Sequence, residues 1–309
     1  MSVDLRIKIG NVTFKNPVWV ASGTFGYGDE FNSIFDVSQL GAIVTKSITM
    51  EPRIGTLPPR IVETPSGMLN AIGLANIGIE RFISEKIPFY KKLNTNIIVN
   101  VAGSTEDEYM EIVKKLNVFD VITGYELNFS CPNVKEGGIC FGVSPVMIEN
   151  LTKKIRKLTE KPIIVKLTPN VTDIASTAVA AEKGGADAVS LINTLVGLSV
   201  NIDTLSPRLG NITGGLSGPA IKPVALAKIY EVFPRINIPI VGMGGIMNGE
   251  DALEFIITGA TAVQIGTANF VEPSISLKII EEIKSYCITK KISSIYGILG
   301  KLKVYENEK

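Results

Sequence analysis

Eight short apolar, β-branched runs with helical patterns between them predict an α/β chain folded as a closed parallel (β/α)8 barrel of the TIM type, preceded by an N-terminal β-hairpin. Two further observations favour a barrel over a doubly wound open sheet. The runs are apolar throughout instead of alternating, as befits strands buried on both faces. The cluster Gly242-Met243-Gly244-Gly245-Ile246 also lacks the GxGxxG spacing and position that mark a dinucleotide-binding sheet. A length of 309 residues suits one barrel domain spanning 1–309, with its site at the C-terminal mouth.

The hairpin is expected over 5–14, turning at Gly10-Asn11. Barrel strands are expected at 17–21, 42–45, 96–101, 125–130, 162–167, 188–193, 239–243 and 262–265. Ser104 precedes an acidic first turn, and 108–116 supplies an amphipathic helix body. Ser144-Pro145 has the N-cap and N1 character that opens a helix, with Ile148, Leu151, Ile155 and Leu158 on one face. Asp173 can cap the next helix, which stops at Gly184-Gly185. Asn248 can cap another that ends at Gly259, and a last amphipathic helix covers 274–286; residues beyond 288 carry no clear pattern. Two connections are long, 48–95 and 194–218. They contain NAIGL (70–74) and GGLSGP (214–219), compositions unlike disordered linkers, and are expected to wall the active site.

Composition narrows the function. A 45% hydrophobic and 20% charged chain is ordinary for a globular enzyme, and a net charge of +1 with no long basic run offers no footprint for nucleic acid. The N-terminus alternates and carries charges, unlike a secretory signal, and no run reaches the roughly 18–20 apolar residues of a membrane span. A cytoplasmic protein without nucleic-acid or membrane partners is expected. Cys131, Cys140 and Cys287 are too few for a disulfide framework or an iron–sulfur ligand set, and no metal site is expected. The chain has no histidine. Proton transfer therefore falls to Cys, Lys, Tyr, Asp or Glu.

The chemistry concentrates in YELNFSCPNVKEGGICFG at 125–142. Along its strand Leu127 and Phe129 face one way, Asn128 and Ser130 the other. Pro132 ends the ladder and leaves the Cys131 thiol at the tip, before a loop holding Gly137, Gly138 and Gly142. The competing reading of Cys131 is a buried packing residue. In a barrel the C-terminal strand ends share one mouth. They bring together Ser22, Lys46-Ser47, Asn100, Asn128, Cys131, Lys166, Asn193-Thr194, Gly244-Gly245 and Gly266-Thr267. Two lysines and three asparagines at the ends of apolar strands are costly unless paired, which favours a polar ligand over structural salt bridges. The glycine pairs after the seventh and eighth strands, with Gly218 upstream, stand where barrels hold a phosphate on backbone N–H groups, so a phosphorylated cofactor is expected.

In order along the chain, NAIGL (70–74), NFSCPNVKEGG (128–138), VKLTPN (165–170), INT (192–194), TGGLSGPAIKP (213–223), GMGGI (242–246) and IGTANF (265–270) resemble dihydroorotate dehydrogenases. The VKEGG loop resembles the class 1B catalytic subunits. The resemblance implies an FMN cofactor, its phosphate on the Gly244-Gly245 and Gly266-Thr267 backbone. Ser22, Lys46, Ser47, Asn100, Asn128, Lys166, Ile192 and Gly218 would line the isoalloxazine and ribityl chain. Dihydroorotate would lie on the flavin face, with Lys46 at its carboxylate and Asn70, Ala71, Ile72, Gly73, Leu74, Asn128, Asn193 and Thr194 around its ring. Cys131 would act as general base while hydride passes to the flavin and orotate forms, and Lys166 would stabilise charge on the reduced flavin. The implied partner is an electron-transfer subunit with FAD and a 2Fe–2S cluster that reduces NAD⁺, in a heterotetramer around a catalytic homodimer. Cys140 and Cys287 are expected to be packing residues, Tyr125 and Trp19 core or rim. The competing readings are a class 1A enzyme using fumarate, a flavin-dependent tRNA dihydrouridine synthase, and a non-catalytic phosphate-binding barrel.

Overall fold

The computed structural model describes residues 3–129, 135–136 and 139–304, with side chains for 3–129 and 142–304. β1 (Ile7–Ile9) and β2 (Val12–Phe14) form the expected hairpin. Its turn holds Gly10 at φ 56°, a left-handed conformation that costs glycine little. Ile7, Ile9 and Phe14 are buried while Lys8 is exposed, the period of two that lays one face on a core. A Cβ on Gly10 would lie 2.8 Å from Oδ1 of Asp187, the residue just before the sixth barrel strand. The hairpin thus closes the N-terminal end of the barrel, and Phe14 packs on Trp19 with ring centroids 4.5 Å apart.

From there the chain runs through β3 (Val18–Val20) and β4 (Ala42–Val44), then leaves the barrel for β5 (Ile61–Thr64) and β6 (Gly67–Asn70). A helical stretch, α1 (Gly78–Arg81) and α2 (Ile87–Tyr90), joined by a π-helical turn, leads to β7 (Asn96–Val101). α3 (Glu106–Asn117) and β8 (Ile122–Asn128) follow, then a two-residue ladder, β9 (Lys135–Glu136) and β10 (Ile139–Cys140). α4 (Pro145–Arg156), β11 (Ile163–Lys166), α5 (Ile174–Lys183) and β12 (Ala188–Leu191) continue the repeat. A second excursion holds β13 (Leu195–Gly197), β14 (Val200–Asn201), β15 (Ser206–Pro207) and β16 (Gly214–Ser217). The chain ends its repeat with α6 (Lys222–Val232), β17 (Ile240–Met243), α7 (Gly249–Thr258), β18 (Ala262–Ile265), α8 (Ala268–Val271) and α9 (Ile275–Thr289).

The barrel closes in the order β11-β12-β17-β18-β3-β4-β7-β8, all parallel, with Val263 of β18 opposite Val18 of β3. Seven strands lie within the expected bounds. The fourth, β8, starts at Ile122 instead of 125. Within this extension Gly124 serves close approach: a Cβ there would sit 2.7 Å from the Pro162 carbonyl oxygen.

The helix caps follow the sequence with one correction. Thr105, not Ser104, caps α3, its Oγ1 accepting from the Glu108 N–H at 3.2 Å. Ser144, Asp173 and Asn248 cap α4, α5 and α7 by accepting from Met147, Ser176 and Asp251 N–H groups. α9 runs past 286 to Thr289 because Ile279, Ile283 and Cys287 continue its buried stripe. Burial pushes the Cys287 thiol up, as suits a packing residue.

The two long connections are not loops alone. They pair into a four-stranded antiparallel sheet, β13-β16-β6-β5, with Asn70 opposite Gly215 and Leu195 opposite Leu216. Both excursions leave from C-terminal strand ends, so this sheet stands beside the mouth. Among the described residues, no helix is long and apolar enough to cross a membrane.

Candidate active site

The strand ends and the excursion sheet enclose a cleft of about 940 Å³, solvent at its mouth included. Twelve expected residues line it: Ser22, Asn70, Ile72, Lys166, Ile192, Asn193, Thr194, Gly218, Gly244, Gly245, Gly266 and Thr267. Lys46, Ser47, Asn100, Asn128, Ala71, Gly73 and Leu74 stand outside this lining. Cys131 lies outside the described residues.

Those outside are held by specific contacts. Lys46 donates its backbone N–H to Gly26 at 2.8 Å, and burial of its side chain, aided by the Arg60 guanidinium and opposed by Glu30, lowers its pKa. Ser47 is buried. Asn128 ends β8 in register with Lys166 on β11, and its carbonyl accepts from the Tyr109 hydroxyl at 2.7 Å. Ala71 donates to the Arg60 carbonyl at 2.8 Å, while Gly73 and Leu74 turn through positive φ.

The glycines after the seventh and eighth barrel strands do different jobs. Gly245 has φ 78°, and a Cβ there would fall 2.8 Å from the Gly218 carbonyl oxygen, so the fold itself requires glycine. Gly266 is the opposite case. A Cβ there meets only the Ala21 Cβ, at 3.7 Å, so it would project into the cleft without crowding the protein. Thr267 beside it donates to the Ser217 hydroxyl at 2.8 Å, tying β18 to the excursion sheet.

Two strands away in the barrel, the chain turns sharply after β12. The Leu191–Ile192 peptide is cis, and the Asn193 side chain accepts from the Thr194 N–H at 2.8 Å. Asn170 staples this corner: its amide donates to the Thr194 carbonyl at 3.0 Å and accepts from the Val196 N–H at 3.1 Å. The site residues Asn193 and Thr194 are thus fixed by a neighbour that the sequence reading assigned no role.

Beneath the cleft lies a polar layer also missed from sequence. Glu126 on β8 is fully buried. Its carboxylate accepts from Asn100 Nδ2 at 2.6 Å, Ser190 Oγ at 2.8 Å and Gln264 Nε2 at 2.7 Å, and Lys166 Nζ stands 3.8 Å away. Four strands besides its own contribute. A buried carboxylate survives only with such pairing. Asn100 Oδ1 and Gln264 Oε1 are buried acceptors without a hydrogen-bond partner among the described residues. Each costs about 1–3 kcal/mol unless something donates to it.

A phosphorylated flavin fits this donor and acceptor set. Gly266 leaves room that a side chain would fill, and Gln264 and Lys166 bring an acceptor and an ammonium into a lining that also holds Met68, Ile192 and Met243.

The family model described as dihydroorotate dehydrogenase matches residues 4–287. The chain belongs to the dihydroorotate dehydrogenase family. A Thermoanaerobacter protein named dihydroorotate dehydrogenase B (NAD(+)), catalytic subunit, is 52% identical over 98% of this chain and 100% of its own length. Proteins of the same name from Alkaliphilus metalliredigens and Citrifermentans bemidjiense are 52% and 48% identical, each over 97% of this chain and 99% of their own. Family membership removes the tRNA-modifying and non-catalytic readings. It also places the polar floor of Glu126, Ser190 and Gln264 in a dihydroorotate dehydrogenase. One signal could have found that floor: Glu126 is a lone carboxylate inside a strand that is otherwise apolar at its buried positions.

Proposed function

We propose that this chain is the NAD-linked dihydroorotate dehydrogenase of pyrimidine biosynthesis, working in the cytoplasm with FMN in the cleft at the barrel mouth. Gly266 carries the cofactor reading, since its missing side chain opens space toward the cleft and serves no packing need of the protein. Gly244, Gly245, Gly266 and Thr267 would hold the phosphate, and Ser22, Ile192 and Gly218 the ring and chain. FMN, when bound, accepts the hydride of dihydroorotate. The rest is done by the chain's own groups. Lys166 presents a nearly buried ammonium that favours negative charge beside it. Asn70, Asn193 and Thr194 line the same cleft and orient the substrate ring, together with Asn128 and residues 71–74. Cys131 Sγ takes the proton from the ring carbon next to the carbonyl.

Lys46 is assigned the substrate carboxylate, and its lowered pKa gives the assignment a pH signature. An ammonium is charged below its pKa, so carboxylate binding is complete near neutrality and is lost as pH rises. Because the Lys46 pKa is lowered, that loss begins below the ordinary lysine value. The KM for dihydroorotate should therefore climb on the alkaline side earlier than a free lysine would dictate, and Lys46→Met should abolish the climb. A KM that follows the same alkaline curve in the variant would remove Lys46 from the carboxylate.

Reoxidation is assigned to a second protein. The relatives carry the name catalytic subunit, which supports a partner, here an electron-transfer subunit with FAD and a 2Fe–2S cluster, in a heterotetramer around a homodimer of this chain. The purified chain with dihydroorotate and NAD⁺ should form NADH only when that partner is co-expressed, while artificial dyes are reduced either way. Efficient fumarate reduction by the chain alone, with no NADH in the partner's presence, would overturn the NAD-linked assignment.

A further inference from the structure

We propose that Glu126 is a positioning residue for the cofactor, an acceptor-only carboxylate that draws the NH2 ends of the Asn100 and Gln264 amides so that the carbonyl oxygen of Gln264, on the cleft lining, is left for a donor of the ligand, and that sets the net charge around Lys166. The inference rests on the reading that the cleft holds FMN.

An ionised carboxylate accepts hydrogen bonds and never donates them. Any amide packed against it must present its NH2 end, which decides the otherwise ambiguous oxygen and nitrogen placement of Asn100 and Gln264 on chemical grounds. Asn100 Nδ2 lies 2.6 Å and Gln264 Nε2 2.7 Å from the two Glu126 oxygens. The far ends of both amides are then carbonyl oxygens, and neither has a hydrogen-bond partner among the described residues although both are buried. Gln264 lines the cleft. The donors that FMN carries are its ribityl hydroxyls and its ring N3–H, the complement of such an acceptor.

Ser190 serves the opposite purpose. Its hydroxyl can rotate to suit either partner, and it spends its proton on Glu126 at 2.8 Å. With three donors and the Lys166 ammonium around it, the carboxylate is held in one place by strands on both sides of the barrel. Glu126 and Lys166 also form a charge pair at 3.8 Å, both nearly or fully buried. Whatever the ammonium does to a flavin above it is moderated by that negative charge below.

Glutamine at 126 keeps the shape and removes both properties. Its own NH2 must find an acceptor, so one neighbouring amide can turn over, and the ammonium loses its counter-charge. The full-length chain is prepared as wild type, Glu126→Gln and Gln264→Met. Flavin fluorescence then gives the FMN dissociation constant, and equilibration with a reference dye gives the two-electron midpoint potential. Glu126→Gln should bind FMN about tenfold more weakly, since hydrogen bonds to the ligand are lost. Its reduction equilibrium should shift about tenfold toward the reduced flavin, about 30 mV positive for a two-electron couple. Gln264→Met should weaken FMN about tenfold as well, through loss of its acceptor. FMN affinity and potential both within about twofold of wild type in Glu126→Gln would overturn the proposal. So would a lowered melting temperature with an unchanged potential, which assigns Glu126 to packing alone. If Glu126→Gln does not fold, Gln264→Met decides, and wild-type FMN affinity there overturns it. A wild-type chain that takes up no FMN sinks the cofactor reading itself, and the inference with it.

Discussion

Replacing Cys131 by alanine should leave FMN bound and slow flavin reduction by dihydroorotate by roughly 10²–10⁴, the usual share of a general base. The thiol follows a segment that is firmly held. β8 ends at Asn128, whose carbonyl takes the Tyr109 hydroxyl at 2.7 Å, and the next residue, Phe129, packs edge-on against the Tyr109 ring at 5.5 Å. No histidine exists to share the task. A thiol of ordinary pKa, about 8.5, is only slightly ionised at neutral pH, so the wild-type reduction rate should rise with pH as the thiolate forms. Cys131→Ser should retain little activity near neutrality because its alkoxide is scarcely populated. Anaerobic rapid mixing measures these rates directly, and near wild-type reduction across neutral pH in Cys131→Ala would remove Cys131 from the role of base.

Gly266→Val should separate cofactor binding from folding. The first carbon of the added side chain, its Cβ, meets only the Ala21 Cβ, at 3.7 Å, within the protein. The apoprotein should therefore melt as wild type does. In the loaded enzyme the same atoms compete with the phosphate for space, and overpacking of about 1–3 kcal/mol weakens FMN binding by about 10–100-fold. Gly245 offers no such test, because its positive φ and the nearby Gly218 carbonyl would strain any side chain whatever the ligand. Unaltered FMN stoichiometry and affinity in Gly266→Val would displace the phosphate site from this strand end.

The barrel was legible because its signals are local. Apolar β-branched runs, capping residues such as Asp173 and Asn248, and terminating glycines such as Gly259 each act within a few residues. The excursion sheet was not legible, for its strands pair across long gaps: Asn70 meets Gly215 through a ladder that no local pattern announces. Glycine-rich β16, half-buried along its length, resembles a loop in composition. The site divided along the same line. Strand-end residues such as Lys166, Asn193 and Gly266 could be gathered from the barrel's geometry alone. Glu126, Ser190 and Gln264 could not, because none of them ends a strand and each is held through partners on other strands. Asn170 went unassigned for a related reason. It touches the loop of Thr194 and Val196 and does not line the cleft.

Hydride transfer from dihydroorotate to a flavin held at the barrel mouth is the step proposed for this chain. Its most direct test is to load the purified chain with FMN, exclude oxygen, and add dihydroorotate without any acceptor or partner. The visible flavin absorption should bleach, and one orotate should form for each flavin reduced. A flavin that stays oxidised in the presence of excess dihydroorotate, in protein shown to retain FMN, would contradict it.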